Sequence, residues 1–358
     1  MRPTSQREAM MMIWGRLRLA AAVLAVVAST VISGAAQAGH GDTIKTIKER
    51  GQLLCTGHNG TYLGFAEVDG TGNWKGFDIE LCKAMAAAIL GSATKLKIVP
   101  VSFAQRFPAL QSGDIDVIIK VTGWTLGRDT ELGLQFSQPY FLGATQIAVA
   151  TSTGAKMAKD LNGASVCSTA GTSTERLAAD YLTNLKVKFE VVSFEKTEEM
   201  RSAFFSGRCD AIALWGPNLA ISIAQAADPS KFIALPDILA VEPQSIAMRQ
   251  GDDNFVDVAN WMLTVLLTAE EYGITSENVD QHKAKPANPT VERMLGVTPG
   301  IGKRLGLGES WGYDVIKQVG SYKQIFDRTL GDGSPYKMKR GVNGLIRDGG
   351  VLYPLIID

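Results

Sequence analysis

The sequence predicts an α/β protein of two lobes, each a mostly parallel sheet flanked by helices, with two crossing strands as the hinge. Three observations carry this. Strand-like and helix-like runs alternate along the chain, the pattern restarts near residue 146, and one local plan occurs twice. That plan is a helix end, a glycine cap, an acid and a buried strand, at 110–118 (LQSGDIDVI) and again at 205–212 (FSGRCDAI). Alternating strands and helices imply a parallel sheet with helices on both faces. Ligands of such sheets bind outside the carboxyl ends of the strands. The predicted boundaries are 39–145 for the first part of lobe 1, 146–245 for lobe 2, and 246–358 for the return to lobe 1 with a C-terminal extension.

Residues 1–38 read differently. Arg2, Arg7, Arg16 and Arg18 precede an apolar run, 19–32, and the small-residue site Ala36-Gln37-Ala38 follows. A basic region, a short apolar core and an Ala-x-Ala site describe a cleavable secretory signal. The run is shorter than the roughly 20 residues needed to cross a bilayer. Export with cleavage after Ala38 is expected, and no later stretch is long and apolar enough to span a membrane.

Leu53 to Gly57 reads as a buried strand entering a loop, Gly57-His58-Asn59-Gly60. Over 77–90, Phe77, Leu81, Met85 and Ile89 repeat every four positions, which predicts a helix. A strand at 96–101, a helix at 107–112 stopped by Gly113, and a strand at 117–120 complete the first half. A strand at 146–150 crosses into lobe 2. Strands follow at 165–168, 188–192 and 210–214. The intervening helices run from Gly171 to about 182 and over 197–206, the second closed by Gly207. The chain crosses back around 241–248, and 254–272 is a long helix carrying Trp261, Leu263, Leu266 and Leu267. The Gly-rich extension beyond Gly273 holds short helices near 315–319 and 323–330 and packs on lobe 1.

The 358 residues are 46% hydrophobic and 20% charged, enough for two separate cores. Lys plus Arg balances Asp plus Glu at 36 each, so no bulk field favours nucleic acid or an anionic membrane. Cys55, Cys82, Cys167 and Cys209 allow three pairings. One bridge per lobe, Cys55–Cys82 and Cys167–Cys209, is the natural one, against the alternative of buried free thiols. His40, His58 and His282 are scattered, so neither a metal nor another cofactor is expected.

Six segments together resemble the polar amino acid-binding proteins of bacterial ABC importers, most closely the general L-amino acid-binding branch. They are 72–80 (GNWKGFDIE), 106–113 (RFPALQSG), 122–129 (TGWTLGRD), 136–140 (FSQPY), 171–175 (GTSTE) and 331–335 (GDGSP). The similarity runs from about residue 45 to the end and includes all four cysteines. It implies a clamshell of the type II periplasmic binding protein class, a periplasmic monomer that closes by a hinge on a small-molecule ligand and delivers it to a membrane permease. No nucleic-acid partner is expected.

The segment 122–128 follows a buried strand at the edge where a ligand should lie. Thr122 and Thr125 hydroxyls there, with Arg128 as a two-pronged donor, suit a carboxylate. In the family the matching Arg holds the α-carboxylate. Thr172 and Ser173 open a helix, where free N–H groups bind anions, although Thr172 also suits an N-cap. Phe77, Trp124 and Tyr62 or Phe65 are placed to sandwich the ligand body. Phe77 also lies on the apolar stripe of its helix, where core packing explains it equally, and Trp74 reads as a surface plug.

One departure stands out. Where the family has an Asp for the ligand's α-ammonium, this chain has Trp215, before Gly216-Pro217-Asn218. An indole does not neutralise an ammonium as a carboxylate does. Lys120-Val121 likewise stands where a more polar pair is expected. Three readings follow. The ligand lacks an α-ammonium, being a keto, hydroxy or aromatic acid; or it carries a methylated ammonium held by Trp215 and Trp124 through cation–π contact; or another acid such as Glu67 reaches the amine. The rival class is an exported dehydratase-like enzyme on the same fold. No acid–base pair, nucleophile elbow or phosphate loop supports it, and the chain reads as a binder.

Overall fold

A computed structural model describes residues 42–358. The signal region, 1–38, and His40 lie outside the described residues.

The first lobe is built on β1 (Leu53–His58), which pairs in parallel with β4 (Leu96–Val101). On the other side of β1, Val117 bridges Cys55 in parallel and Ile118 bridges Ala247 antiparallel. The run expected as a strand at 117–120 is therefore a pair of single bridges. Its two neighbours run in opposite directions, and Val121 leaves the extended region at φ 36°. β12 (Ala247–Arg249) then pairs antiparallel with β5 (Leu134–Phe136). The minor strands β2 (Glu67–Val68) and β3 (Trp74–Lys75) form a hairpin ahead of the main helix.

The second lobe carries one larger sheet in the order β10-β6-β9-β7-β8, with β11 also on β6. These strands are β6 (Phe141–Ala150), β7 (Ala164–Thr169), β8 (Phe189–Phe194), β9 (Ala211–Trp215), β10 (Phe232–Ala234) and β11 (Ala240–Gln244). β7 is parallel to β8 and β9, whereas β6 runs against β9. The hinge is the antiparallel pairing of β6 with β11, from Phe141 opposite Gln244 to Thr145 opposite Ala240.

Among the helices, α1 (Thr43–Arg50) leads into β1, and α2 (Phe77–Leu90) is bounded by Gly76 and Gly91, both at positive φ. The helices α3 (Arg106–Ser112), α4 (Leu126–Thr130), α5 (Ser173–Asn184) and α6 (Thr197–Phe205) start within about two residues of expectation where one was stated. α7 (Gly216–Ala224) was not foreseen; Pro217 sits in its first turn, where a missing N–H costs nothing. α8 (Asp253–Glu271) is the long helix of the return segment. Within the extension, Trp311–Val319 packs on α2, and the Tyr322 hydroxyl donates to the Tyr140 carbonyl at 2.7 Å.

Both disulfides pair as expected. Cys55–Cys82 ties β1 to α2 with Cα atoms 6.1 Å apart, and Cys167–Cys209 ties β7 to the approach of β9 at 5.8 Å. An aromatic cluster of Phe65, Phe77, Tyr140, Phe141, Trp215 and Phe326 packs around the hinge, with ring centres 5.3 to 6.5 Å apart along the chain of contacts. Among the described residues, no helix is long and apolar enough to cross a membrane.

Candidate ligand-binding site

A narrow cleft opens where the two lobes meet the hinge. Lobe 1 contributes Tyr62, Phe103, Arg106 and Val121. Across from them stand Thr169 at the end of β7, Thr172 and Ser173 at the start of α5, and Trp215 at the end of β9. The hinge strand β11 supplies Glu242 and Gln244.

β11 explains that last pair. Successive side chains of a strand point to opposite faces, so Glu242 and Gln244 are buried on the cleft side while Val241 is 63% exposed on the other. Pro243 lies between them, and its carbonyl accepts from the Trp124 N–H at 3.1 Å. The Glu242 Oε2 accepts from the Thr145 hydroxyl at 2.9 Å across the hinge. Its Oε1 is buried without a partner, as are Gln244 Oε1 and Trp215 Nε1. Buried polar atoms are rarely left unpaired. Three of them around one cleft mark a polar ligand.

Arg128 stands beside Glu242. A Cβ on Gly123 would lie 3.2 Å from Glu242 Oε1, 3.4 Å from Arg128 Nη1 and 3.7 Å from the Ser173 hydroxyl, so these three groups converge on one point. Nη1 also donates to the Gly123 carbonyl at 2.7 Å. Burial pulls the Arg128 guanidinium down to about 10, and the nearby Glu242 works against that fall. Thr125 fixes Arg128 from behind: as N-cap of α4 its hydroxyl accepts from the Arg128 N–H at 3.4 Å.

The start of α5 is built the same way. Thr172 is its N-cap, accepting from the Glu175 N–H at 3.1 Å and donating to the Thr169 carbonyl at 2.7 Å. The next N–H groups of the helix remain available to an anion. Gly171 precedes it at φ 74°, and a Cβ there would strike the Ala104 backbone of lobe 1 at 2.7 Å. Only glycine allows the two lobes this approach.

The expected site residues divide. Tyr62, Thr172, Ser173 and Trp215 line the cleft, and Arg128 adjoins it through Gly123. Thr122 is fully buried and spends its hydroxyl on the Lys120 carbonyl at 3.0 Å. Trp124 is 42% exposed and stacks on Phe136 with centroids 5.6 Å apart. Phe77 and Phe65 lie in the aromatic core, outside the cleft lining. Sequence reasoning missed Arg106, Glu242 and Gln244 as cleft residues. The signal for the last two was available: both fall in the segment expected to cross back, spaced two apart.

Behind the cleft, the His58 ring stacks on Tyr62 at 4.8 Å. Burial, then the charges of Lys120 and Arg106, hold it well below its ordinary pKa. Lys120 is fully buried; burial and then the Arg106 charge lower it, while Asp78 opposes. Among the described residues, no group of three His, Cys, Asp or Glu side chains is placed to hold a metal.

Residues 54–278 match the bacterial extracellular solute-binding proteins, family 3. The general L-amino acid-binding periplasmic protein AapJ of Rhizobium johnstonii is 40% identical over 331 residues, covering 92% of this chain and 96% of that protein. The glutamate/glutamine/aspartate/asparagine-binding protein BztA of Rhodobacter capsulatus is 36% identical over 92% of this chain and 96% of its own length. A periplasmic binding protein of an ABC transporter from Brucella ovis, solved with glutathione bound, superposes with a TM-score of 0.83 at 42% identity, covering 88% of this chain and 99% of that one. All three are binding proteins. The chain belongs to the family 3 bacterial extracellular solute-binding proteins.

Proposed function

We propose that this chain is the periplasmic solute-binding component of an ABC importer, and that it captures an amino acid or short peptide with a free α-ammonium and α-carboxylate. It acts as a monomer, closes on the ligand by bending at β6 and β11, and presents the closed form to a membrane permease. Arg128 and the start of α5, with Ser173, receive the carboxylate, and Tyr62 and Trp215 cover the ligand body. The names of the relatives support the transport role.

One observation carries the choice of ligand. Glu242 Oε1 is buried, has no partner, and lies beside Arg128. A buried carboxylate oxygen of this kind suits an ammonium, so Glu242 takes the part that an Asp at the position of Trp215 would play. Glu67 is engaged elsewhere: it accepts from the Gly64 N–H at 2.6 Å and from the Tyr336 hydroxyl. This favours an ordinary amine over a keto acid or a betaine.

The test is isothermal titration of the exported protein with L-amino acids, glutathione, glycine betaine and 2-keto acids, repeated on Glu242→Gln. Removing a buried charge partner costs about 1.5–3 kcal/mol, so the variant should bind amine ligands roughly 10- to 100-fold more weakly. Binding of keto acids or betaine alone, or unchanged affinity for amines in Glu242→Gln, would overturn the reading.

A further inference from the structure

A second pocket lies in the C-terminal extension and shares no lining residue with the cleft. Two tryptophans line it: Trp261, half-buried on α8, and Trp311, buried at the start of the helix Trp311–Val319. Arg293, half-buried in the helix Pro289–Met294, and Arg304, exposed at the end of the helix Ile301–Arg304, stand beside them. Among the described residues, neither guanidinium has a hydrogen-bond or ion-pair partner. The remaining contributors are Ile357 and Asp358 of the last segment. From 353 to 358 the chain belongs to no helix or strand and makes no hydrogen bond with the described residues. Ile357 is the one buried residue of the six, and it is buried in this pocket. Asp358 reaches the pocket as well, yet pairs with neither arginine. A segment anchored by one apolar side chain and no backbone hydrogen bond opens at little cost.

We propose that this pocket is a second small-molecule site, for an organic acid with an aromatic or branched apolar body, and that Ile357 is its displaceable plug. Indole faces favour a planar or branched apolar group, and Ile357 shows that a branched one is accommodated there. A guanidinium grips a carboxylate with two parallel charge-assisted hydrogen bonds, and two unpaired guanidiniums leave that place open. The plug makes the apolar contact without the ionic one. A short molecule that carries both on one frame gains what the plug lacks and displaces it. Asp358 is the only acid in the lining and moves away with the plug, so a ligand ammonium finds no partner. The class is therefore a simple carboxylate, in contrast to the amine ligand that Glu242 favours in the cleft.

The experiment is isothermal titration of the exported protein with two pairs of probes, phenylacetate with phenylacetamide and 4-methylpentanoate with its amide. The same titrations are run on Ile357→Ser, on the double variant Arg293→Gln, Arg304→Gln, and on Arg128→Ala. The acid of at least one pair should bind about tenfold or more tighter than its amide, and the double arginine variant should lose that preference. Ile357→Ser should bind the acid about threefold or more tighter, because the plug no longer competes for the pocket. Arg128→Ala should bind it as the unaltered protein does, since Arg128 belongs to the cleft. Absence of binding to both the unaltered protein and Ile357→Ser overturns the proposal. Equal affinity for acid and amide overturns it too, leaving an apolar groove without a carboxylate site. Binding lost in Arg128→Ala overturns it by placing the probe in the cleft, and binding no tighter in Ile357→Ser overturns the role of the plug. Should the double variant not fold, Arg304→Gln alone, a change at an exposed residue, decides by the same loss of preference.

Discussion

Gly143 on β6 exists in the service of Trp215. A Cβ at this position would stand 2.4 Å from both Nε1 and Cε2 of the indole. No real side chain tolerates that distance, so only the bare backbone of the hinge strand lets Trp215 reach the cleft. The ring is then held by Phe65 and Phe141, with centroids 5.3 and 5.4 Å away. Strand, glycine and indole form one unit at the point where the lobes bend.

Gly143→Ala should therefore act on binding through Trp215. The added methyl displaces the indole, and overpacking of this kind costs about 1–3 kcal/mol. The expected outcome is a folded protein with a lower unfolding midpoint, altered tryptophan fluorescence and ligand affinity reduced about tenfold or more. Unchanged fluorescence with unchanged affinity would show that the indole does not depend on the glycine.

The same glycine explains part of what the sequence concealed. β6 begins at Phe141, not at 146, because a strand interior containing Gly143 loses the periodic signal that marks strands. Pro243 weakened the strand signal of β11 in the same way, so the spacing of Glu242 and Gln244 two apart, which places both in the cleft, was present in the sequence but went unused. Helix α2 was legible to the residue because its signals are local: an apolar repeat, Gly76 before it and Gly91 after it. Arg106 stood in a legible motif, yet its stacking on Phe103 and its missing partner are tertiary facts. Thr122 and Trp124 had the right loop and the wrong direction. One donates inward to Lys120 and the other leans outward onto Phe136.

Asp78 should make stability depend on pH. Its carboxyl is fully buried and accepts from the Tyr140 hydroxyl at 3.0 Å and the Val121 N–H at 3.1 Å. Burial raises its pKa from 3.8 to about 7, against the pull of Tyr140, Lys120 and Val121. Between those values the folded protein keeps a proton that the unfolded chain has lost, so stability falls as pH rises. The contribution is fully present below about pH 4 and gone above about pH 7. Asp78→Asn removes this titration. Urea unfolding from pH 4 to 8 should show the unaltered protein losing stability relative to the variant across that window, with a constant difference above it. A difference that does not vary with pH would mean that Asp78 stays charged throughout.

The contact between the lobes predicts a kinetic effect away from the ligand. Glu198 at the start of α6 accepts from the Thr61 N–H at 2.9 Å, and Arg201 one turn later donates to the Thr61 carbonyl at 3.3 Å. Asn218 on α7 donates to the Leu63 carbonyl at 2.9 Å, so lobe 2 grips two positions of the same lobe 1 loop. None of these residues lines the cleft. Their bonds exist when the lobes meet and are lost when they part, so they stabilise the closed form alone. Glu198→Ala removes one charge-assisted bond, worth about 1–1.5 kcal/mol at a partly exposed site. Because ligand is held by closure, that loss should appear as dissociation about five- to tenfold faster, with association nearly unchanged. Stopped-flow measurement of both rates checks it. A slower association with unaltered dissociation would place Glu198 in ligand capture instead of in the latch.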